Sequence, residues 1–333
     1  MAEVPTECVI GVDLGGTNLK AGLIDGALEV HSSVERVIAG LPLPALLDEL
    51  AAAVVALRES AEGEVDALGL GIAGLIDERR GLVASSTHLP FAGVPLAEVM
   101  EERLGMAVFV DNDANVALIA EHRHGAAQGE RVALMVALGT GVGGAIAFDG
   151  EIYRGAQGAA GEVGHIVLSP DGPDCGPGCA SRGCLEAFVS GSALARDARA
   201  AAERAGAGGL GRALADGRVI DGPLVTELAL AGDEVALEIL TTLGEWLGLG
   251  LVTLANVFDP DVIVVGGGVS AAGELILDPA RRVLSERAPA LISEHVEVRP
   301  ARYGARAGML GAAVLARESL AHAPSIGRPQ VAR

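Results

Sequence analysis

Three cysteines crowd into one short stretch, Cys175-x3-Cys179-x4-Cys184, shortly after His165. Three thiolates and an imidazole form a donor set suited to a closed tetrahedral zinc site, which holds a loop in place and leaves no position for substrate. The same thiols also admit a second reading, as free or redox-active groups. The first residues carry two acids and no basic region, so no secretion signal is read there, and a reducing compartment favours metal over disulfides. Cys8, at the mouth of an apolar run, reads as a small core residue.

Three glycine-rich turns could hold an anion: Asp13-Leu-Gly15-Gly16-Thr17, Gly139-Thr140-Gly141-Val-Gly-Gly144 and Gly266-Gly267-Gly268-Val-Ser270. None is a Walker A loop, because the only lysine, Lys20, follows Leu19. Gly139-x-Gly141-x-x-Gly144 has the dinucleotide spacing, but Ala145–Phe148 runs on as a strand where that motif must open a helix. Gly266–Ser270 does lie between a strand and a helix, yet no acid closes the following strand. The remaining option is a phosphate cradle of backbone N–H groups, the hydroxyls of Thr17 and Thr140, and a divalent cation; Asp13 suits Mg²⁺. Taken singly, each turn also reads as ordinary structure. Asp111-Asn112-Asp113 ends a strand and opens a helix, where Asp is a favoured cap. The same place suits a base that takes the proton of a hydroxyl during phosphoryl transfer.

The elements that must position these groups follow from pattern. Strands are expected at Val9–Asp13, Leu19–Asp25 and Val30–Ile38, with Asp25-Gly26 as a two-residue hairpin. Helical spacing covers Leu43–Arg58, Leu96–Leu104 and Ala114–His124, and strands cover Leu68–Ile72 and Met106–Val110. Val12–Gly26 aligns without gaps on Val136–Gly150 at a constant offset of 124, matching both glycine turns and both Asp-Gly pairs. This reads as a duplicated unit. A long helix near Glu234–Val257, strands at Val262–Val265 and Val296–Arg299, and helices near Glu274–Glu286 and Ala307–Ser319 complete the pattern. Two α/β domains with mixed sheets are expected, with ligands in the cleft between them.

Composition narrows the partners. Asp and Glu number 44 against 24 Lys and Arg, giving −20, and the aromatics are five Phe, two Tyr and one Trp. Such a chain lacks the charge that grips phosphate backbones and the rings that stack bases, so nucleic acid is not expected. The longest uncharged apolar run, Val132–Phe148, is interrupted by glycines and falls short of a bilayer's ~20 residues, so no membrane is expected either.

Taken together, the three turns resemble the nucleotide-binding segments of sugar kinases in the hexokinase/actin-like superfamily. With Asn112-Asp113-Ala-Asn115, Gly161-Glu162-Val-Gly-His165 and Cys179-x4-Cys184-Leu-Glu186 added, the chain resembles the ROK family of bacterial sugar kinases and repressors from about residue 9 to 318. The resemblance implies an α/β fold of two duplicated actin-like, ribonuclease H-like ATPase domains whose mixed sheets flank a central cleft. The small domain would be 1–117 plus about 305–320 and the large domain 118–304, with a zinc loop at 165–186 and a tail at 321–333. ATP with Mg²⁺ would meet Asp13, Gly15, Gly16, Thr17, Lys20, Thr140, Gly141, Gly267 and Gly268. Asp113 would be the catalytic base, and Asn112, Asp113, Glu162, His165 and Glu186 would contact the sugar. Structural Zn²⁺ would sit on His165, Cys175, Cys179 and Cys184.

The implied reaction is ATP-dependent phosphorylation of a hexose 6-hydroxyl, with glucose first. Mannose, fructose or N-acetylmannosamine are the alternatives, and a sugar-responsive regulator is the rival. Twelve residues before Asp13 leave no room for the regulators' DNA-binding domain. A cytoplasmic homo-oligomer, dimer or tetramer, is expected. Two departures from the family pattern stand out: Cys175 lies two residues earlier than the family's first cysteine, with Pro177 in that place, and His88 stands where glucose-specific relatives commonly carry Asn.

Overall fold

A computed structural model of the chain describes residues 8–205 and 208–322. Among the described residues the chain forms two compact units, 8–120 with 308–322 and 121–307, so it passes between them twice.

Unit 1 is built from β1 (Cys8–Leu14), β2 (Asn18–Ile24), β3 (Val30–Val37), α1 (Leu43–Glu59), β4 (Val65–Ile72), β5 (Leu75–Asp77), β6 (Leu82–Ser85), α2 (Leu96–Leu104), β7 (Ala107–Asn112) and most of α3 (Asp113–His124). Its sheet runs β3-β2-β1-β4-β7, antiparallel across β1/β2/β3 and parallel across β1/β4/β7. The period-3.6 stripe of α1 buries Leu46, Leu50, Ala53, Val54 and Leu57. Each such leucine contributes ~1.5–3 kcal/mol of burial, enough to fix the helix on the sheet without any capping side chain.

Unit 2 repeats the plan. Its elements are β8 (Val132–Leu138), β9 (Val142–Phe148), β10 (Glu151–Ile152), α4 (Glu186–Val189), α5 (Gly191–Ala205), α6 (Gly208–Ala215), α7 (Gly222–Leu230), α8 (Glu234–Phe258), β11 (Val262–Gly266), α9 (Glu274–Arg287), α10 (Ala290–Ser293) and β12 (Glu297–Pro300). The sheet order is β10-β9-β8-β11-β12, again antiparallel on one side of β8 and parallel on the other. The offset of 124 residues read from the sequence carries β1 onto β8 and β2 onto β9 at every strand end. Duplicated α/β units with mixed sheets are therefore borne out. The last helix, α11 (Ala307–His322), belongs to unit 1 from Gly308 onward.

Several expectations need correction. Asp149-Gly150 does make a two-residue hairpin: both residues have positive φ (48° and 86°), and Phe148 pairs with Glu151. Asp25-Gly26 does not. There the loop runs to Glu29 because the Asp25 carboxylate accepts from the N–H groups of Ala27 and Glu29, and the positive φ falls on Leu28 (63°). The β5/β6 hairpin and helices α5 to α7 were not foreseen. Last, α11 runs three residues beyond Ser319, through Ala321 and His322, and the rest of the expected tail lies outside the described residues. By length and composition α8 could cross a membrane, but its Leu240, Leu243, Leu247, Leu251 and Leu254 are buried in the core of unit 2.

Candidate active site

In unit 1 the chemistry gathers at the ends of β1 and β7. Asp13 and Lys20 are opposite one another across β1/β2, which places both side chains on one face. The turn between those strands, Gly15 to Thr17, is closed by Gly15 N–H donating to Asn18 O and Ile38 N–H donating to Thr17 O. His88 packs against Gly16, whose absent side chain would fall 2.8 Å from the His88 Cβ. The segment carrying His88 is fixed by Ser86, whose hydroxyl donates to Ala73 O and accepts from Leu89 N–H.

At the end of β7 the cap of α3 is Asn112, not Asp111 or Asp113. Its Oδ1 accepts from the N–H groups of Ala114 and Asn115, and its Nδ2 donates to Gly74 O at 3.0 Å. Asp111 is buried, with one carboxylate oxygen receiving Asn115 Nδ2 (2.8 Å) and Asn112 N–H (2.7 Å). The division of labour follows: Asp111 and Asn115 brace the turn, Asn112 caps the helix with its oxygen, and its amide lies between Gly74 O and the carboxylate of Asp113. Desolvation pushes Asp113 up, against hydrogen bonds from Ala114 N–H and Asn112 that pull it down. That direction suits a group that must accept a proton.

Burial first, and the charge of Asp113 second, push Asp13 up to about 7, with Lys20 opposing. A divalent cation against Asp13 would reverse this. The consequence for stability has a definite sign. A carboxyl whose pKa is higher in the folded than in the unfolded state binds protons preferentially when folded, so stability falls as pH rises from about 4 to about 7. Asp13→Asn removes that loss. Without divalent cations the variant is expected to melt several degrees above wild type near pH 8 and level with it near pH 4, an effect on the order of 2 kcal/mol. Thermal melts at the two pH values check this.

In unit 2 the second and third glycine turns lie side by side. Gly267, with φ of 85°, sits against the backbone of Leu138, so that a Cβ there would fall 2.5 Å from the carbonyl carbon. Gly191 N–H donates to Gly139 O, and the hydroxyl of Ser192 donates to Thr140 O at 2.9 Å. Thr140 is exposed at the tip, Gly268 faces open space, and Gly141 lies against the Glu186 carboxylate.

The thiol cluster is real as a geometry. One donor atom from each of His165, Cys175, Cys179 and Cys184 lies within 4.8 Å of all the others. Cys179 and Cys184 sulfurs are 3.9 Å apart, and Cys175 Sγ is 3.4 Å from His165 Nδ1. A zinc tetrahedron with bonds of ~2.3 Å to sulfur and ~2.0 Å to nitrogen has edges of roughly 3.5–3.8 Å, so the donor set fits. The Gly176-Pro177-Gly178 insertion lets Cys175 reach back, because both glycines adopt positive φ (118° and 91°). Burial and the neighbouring thiols push Cys175 up, and burial pushes Cys184 up, whereas a backbone N–H at Ser181 lowers Cys179. Three crowded thiols cannot all ionise by themselves, and a bound cation would let them.

His165 turns Nε2 toward Glu162, 3.8 Å from Oε2, and both residues are exposed. Glu186 opens α4 and its Oε2 accepts Val142 N–H at 2.7 Å, so one oxygen of this expected sugar contact is already engaged by the glycine turn. Sequence reasoning missed that bond, as it missed Gly308, which leaves the room that the Asp13 carboxylate fills. Gly308-x-x-Gly311 inside a helix was the available signal, since glycine there costs stability unless something packs close.

A sequence profile of the ROK family matches residues 9–319. The chain belongs to the ROK family. A glucokinase of Streptomyces coelicolor is 39% identical over 93% of this chain and 97% of that protein. Among solved ROK structures, a glucokinase from Streptomyces griseus in complex with glucose and AMPPNP is 39% identical, with a TM-score of 0.82 over 93% of this chain and 99% of that one. A ROK hexokinase from Thermus thermophilus is 35% identical, with a TM-score of 0.74 over 95% of this chain and all of that one. The ROK profile spans both units and all six motifs read from the sequence.

Proposed function

We propose that the chain is an ATP-dependent sugar kinase that converts glucose to glucose 6-phosphate. The observation that carries this reading is Asp113, a desolvated carboxylate at the start of α3, beside Asn112 and within electrostatic reach of Asp13. The 39% identity to glucokinases along nearly the whole chain supports the same conclusion.

In this reading the sugar 6-hydroxyl attacks the γ-phosphorus of ATP. Its proton passes to Asp113, the bond from the γ-phosphorus to the bridging oxygen breaks, and ADP leaves with that oxygen. Asn112, whose amide bonds Asp113, would turn that hydrogen to a sugar hydroxyl, while Glu162, His165 and Glu186 take further hydroxyls. The N–H groups of Gly16 and Thr17, with Lys20, and those of Thr140, Gly141, Gly267 and Gly268 bind phosphate oxygens in place of the cations an acidic protein lacks. Gly15, its own N–H given to Asn18 O, keeps the turn tight. Mg²⁺ held near Asp13 would neutralise polyphosphate charge, and Zn²⁺ on His165, Cys175, Cys179 and Cys184 would fix the loop that carries the sugar contacts. The enzyme is read as a cytoplasmic homo-oligomer with no nucleic-acid partner.

His88 is the residue that puts glucose preference to the test, because it stands exposed against Gly16 of the first glycine turn and departs there from the pattern that the resemblance to glucose kinases implies. A coupled ADP-release assay across hexoses and N-acetylhexosamines decides the matter. Glucose is expected to give the highest kcat/KM, and replacing ATP by polyphosphate should abolish turnover. A higher kcat/KM for N-acetylmannosamine would reassign the substrate, and ADP release independent of sugar would overturn the reading.

A further inference from the structure

One carboxylate is shared by the thiol cluster and the second glycine turn. Glu186 lies two residues after Cys184, at the first position of α4. Its Oε2 accepts Val142 N–H at 2.7 Å, and its Oε1 faces the Cys175 sulfur at 3.7 Å. Gly141 makes this approach possible, since a Cβ there would stand 2.4 Å from Oε2.

The turn therefore rests on the corner between α4 and α5: Glu186 holds Val142, Gly191 holds the Gly139 carbonyl, and Ser192 holds that of Thr140. Little at that corner can yield independently. Cys184 and Leu185 are fully buried, Leu185 N–H donates to Ile166 O, and Phe188 stacks on Trp246 with ring centroids 3.9 Å apart. A sulfur that shifts at Cys184 must carry Glu186 with it.

We propose that Glu186 is a positioning residue that transmits the state of the thiol cluster to the Gly139–Gly144 turn, so that zinc in the cluster tightens nucleotide binding. This rests on the reading that the turn receives nucleotide phosphates, and it gives Glu186 a task beyond sugar contact. Couplings of this kind commonly amount to ~5–150-fold, and they are reciprocal, so nucleotide must tighten zinc by the same factor.

The test is calorimetric titration of the full chain with AMPPNP and Mg²⁺, zinc-loaded and chelator-stripped, with zinc content measured on each sample. Stripping wild type is expected to weaken AMPPNP by about tenfold, and AMPPNP to raise zinc affinity by a matching factor. Glu186→Ala should weaken AMPPNP comparably while keeping one zinc per chain, and stripping it should change little more. Glu186→Gln, whose amide oxygen still accepts from Val142 N–H, should keep most of the affinity. The fluorescence of Trp246, the sole tryptophan, reports that the stack against Phe188 is intact in each variant. Normal AMPPNP binding with no zinc dependence, or wild-type affinity in Glu186→Ala, would overturn the coupling alone. No AMPPNP binding by zinc-loaded wild type would overturn the functional reading and the coupling with it.

Discussion

Asp113→Asn is expected to lower kcat by ~10²–10⁴-fold while leaving the sugar dissociation constant within a few fold. The amide keeps the size and the hydrogen bond from Ala114 N–H, so the start of α3 stays as it is. What it loses is the ability to take the proton that the sugar hydroxyl must give up. The phosphoryl group is already electrophilic in such a transition state, so the residual rate reflects positioning and electrostatics alone. The replacement also relieves the repulsion between Asp113 and Asp13. Asp113→Asn should therefore be no less stable than wild type. Steady-state kinetics beside equilibrium glucose binding separate the two effects. Half-maximal kcat in the variant would place the base elsewhere.

The second large effect concerns the metal. Wild type is expected to hold one Zn²⁺, and Cys179→Ala or Cys184→Ala to lose it, because removing a ligand weakens a structural site by more than the ~10–100-fold that supporting groups cost. Cys184 is fully buried, so its loss adds a cavity to the loss of metal. The sugar KM should rise with it, since His165 and Glu186 are carried by the same loop. Cys175→Ala is the sharper experiment. The sulfur lies 3.4 Å from His165 Nδ1 despite the inserted residues, so the variant should lose zinc as fully as Cys179→Ala does. Full retention by elemental analysis would show that another group completes the site. Mg²⁺ should remain essential for turnover in zinc-loaded protein, because a four-ligand site has no place for phosphate.

The fold was legible where pattern and turn chemistry agree. The offset between Val12–Gly26 and Val136–Gly150 located both hairpins, because strand, glycine turn and strand must repeat together if the sheet does. It failed at Asp25, where a side chain captured two backbone N–H groups and lengthened the loop, and no dipeptide rule records that competition. Helices α5 to α7 were missed for a different reason. They fill an insertion between β10 and β11 that has no counterpart in the first half, so the repeat gave no guide to it.

At the site, residue types marked which side chains could react, and spacing could not say how they are held. Spacing offers Asp111, Asn112 and Asp113 alike to the start of α3, and the hydrogen bonds of the folded chain separate them: Asn112 caps α3 and Asp111 braces Asn115. The reach of Cys175 was undecidable from spacing, because it depends on two glycines taking positive φ around Pro177. Glu186 was legible as an acid after a cysteine, whereas its bond to Val142 spans 44 residues and leaves no local trace.

The most direct measurement is a proton-coupled ³¹P spectrum of wild-type protein turning over ATP, Mg²⁺ and glucose. The account predicts a phosphomonoester signal split by the two hydrogens on carbon 6, growing in step with ADP and absent over the same interval with Asp113→Asn. ADP formed without a sugar phosphate, or a phosphoester coupled to a single ring hydrogen, would contradict it.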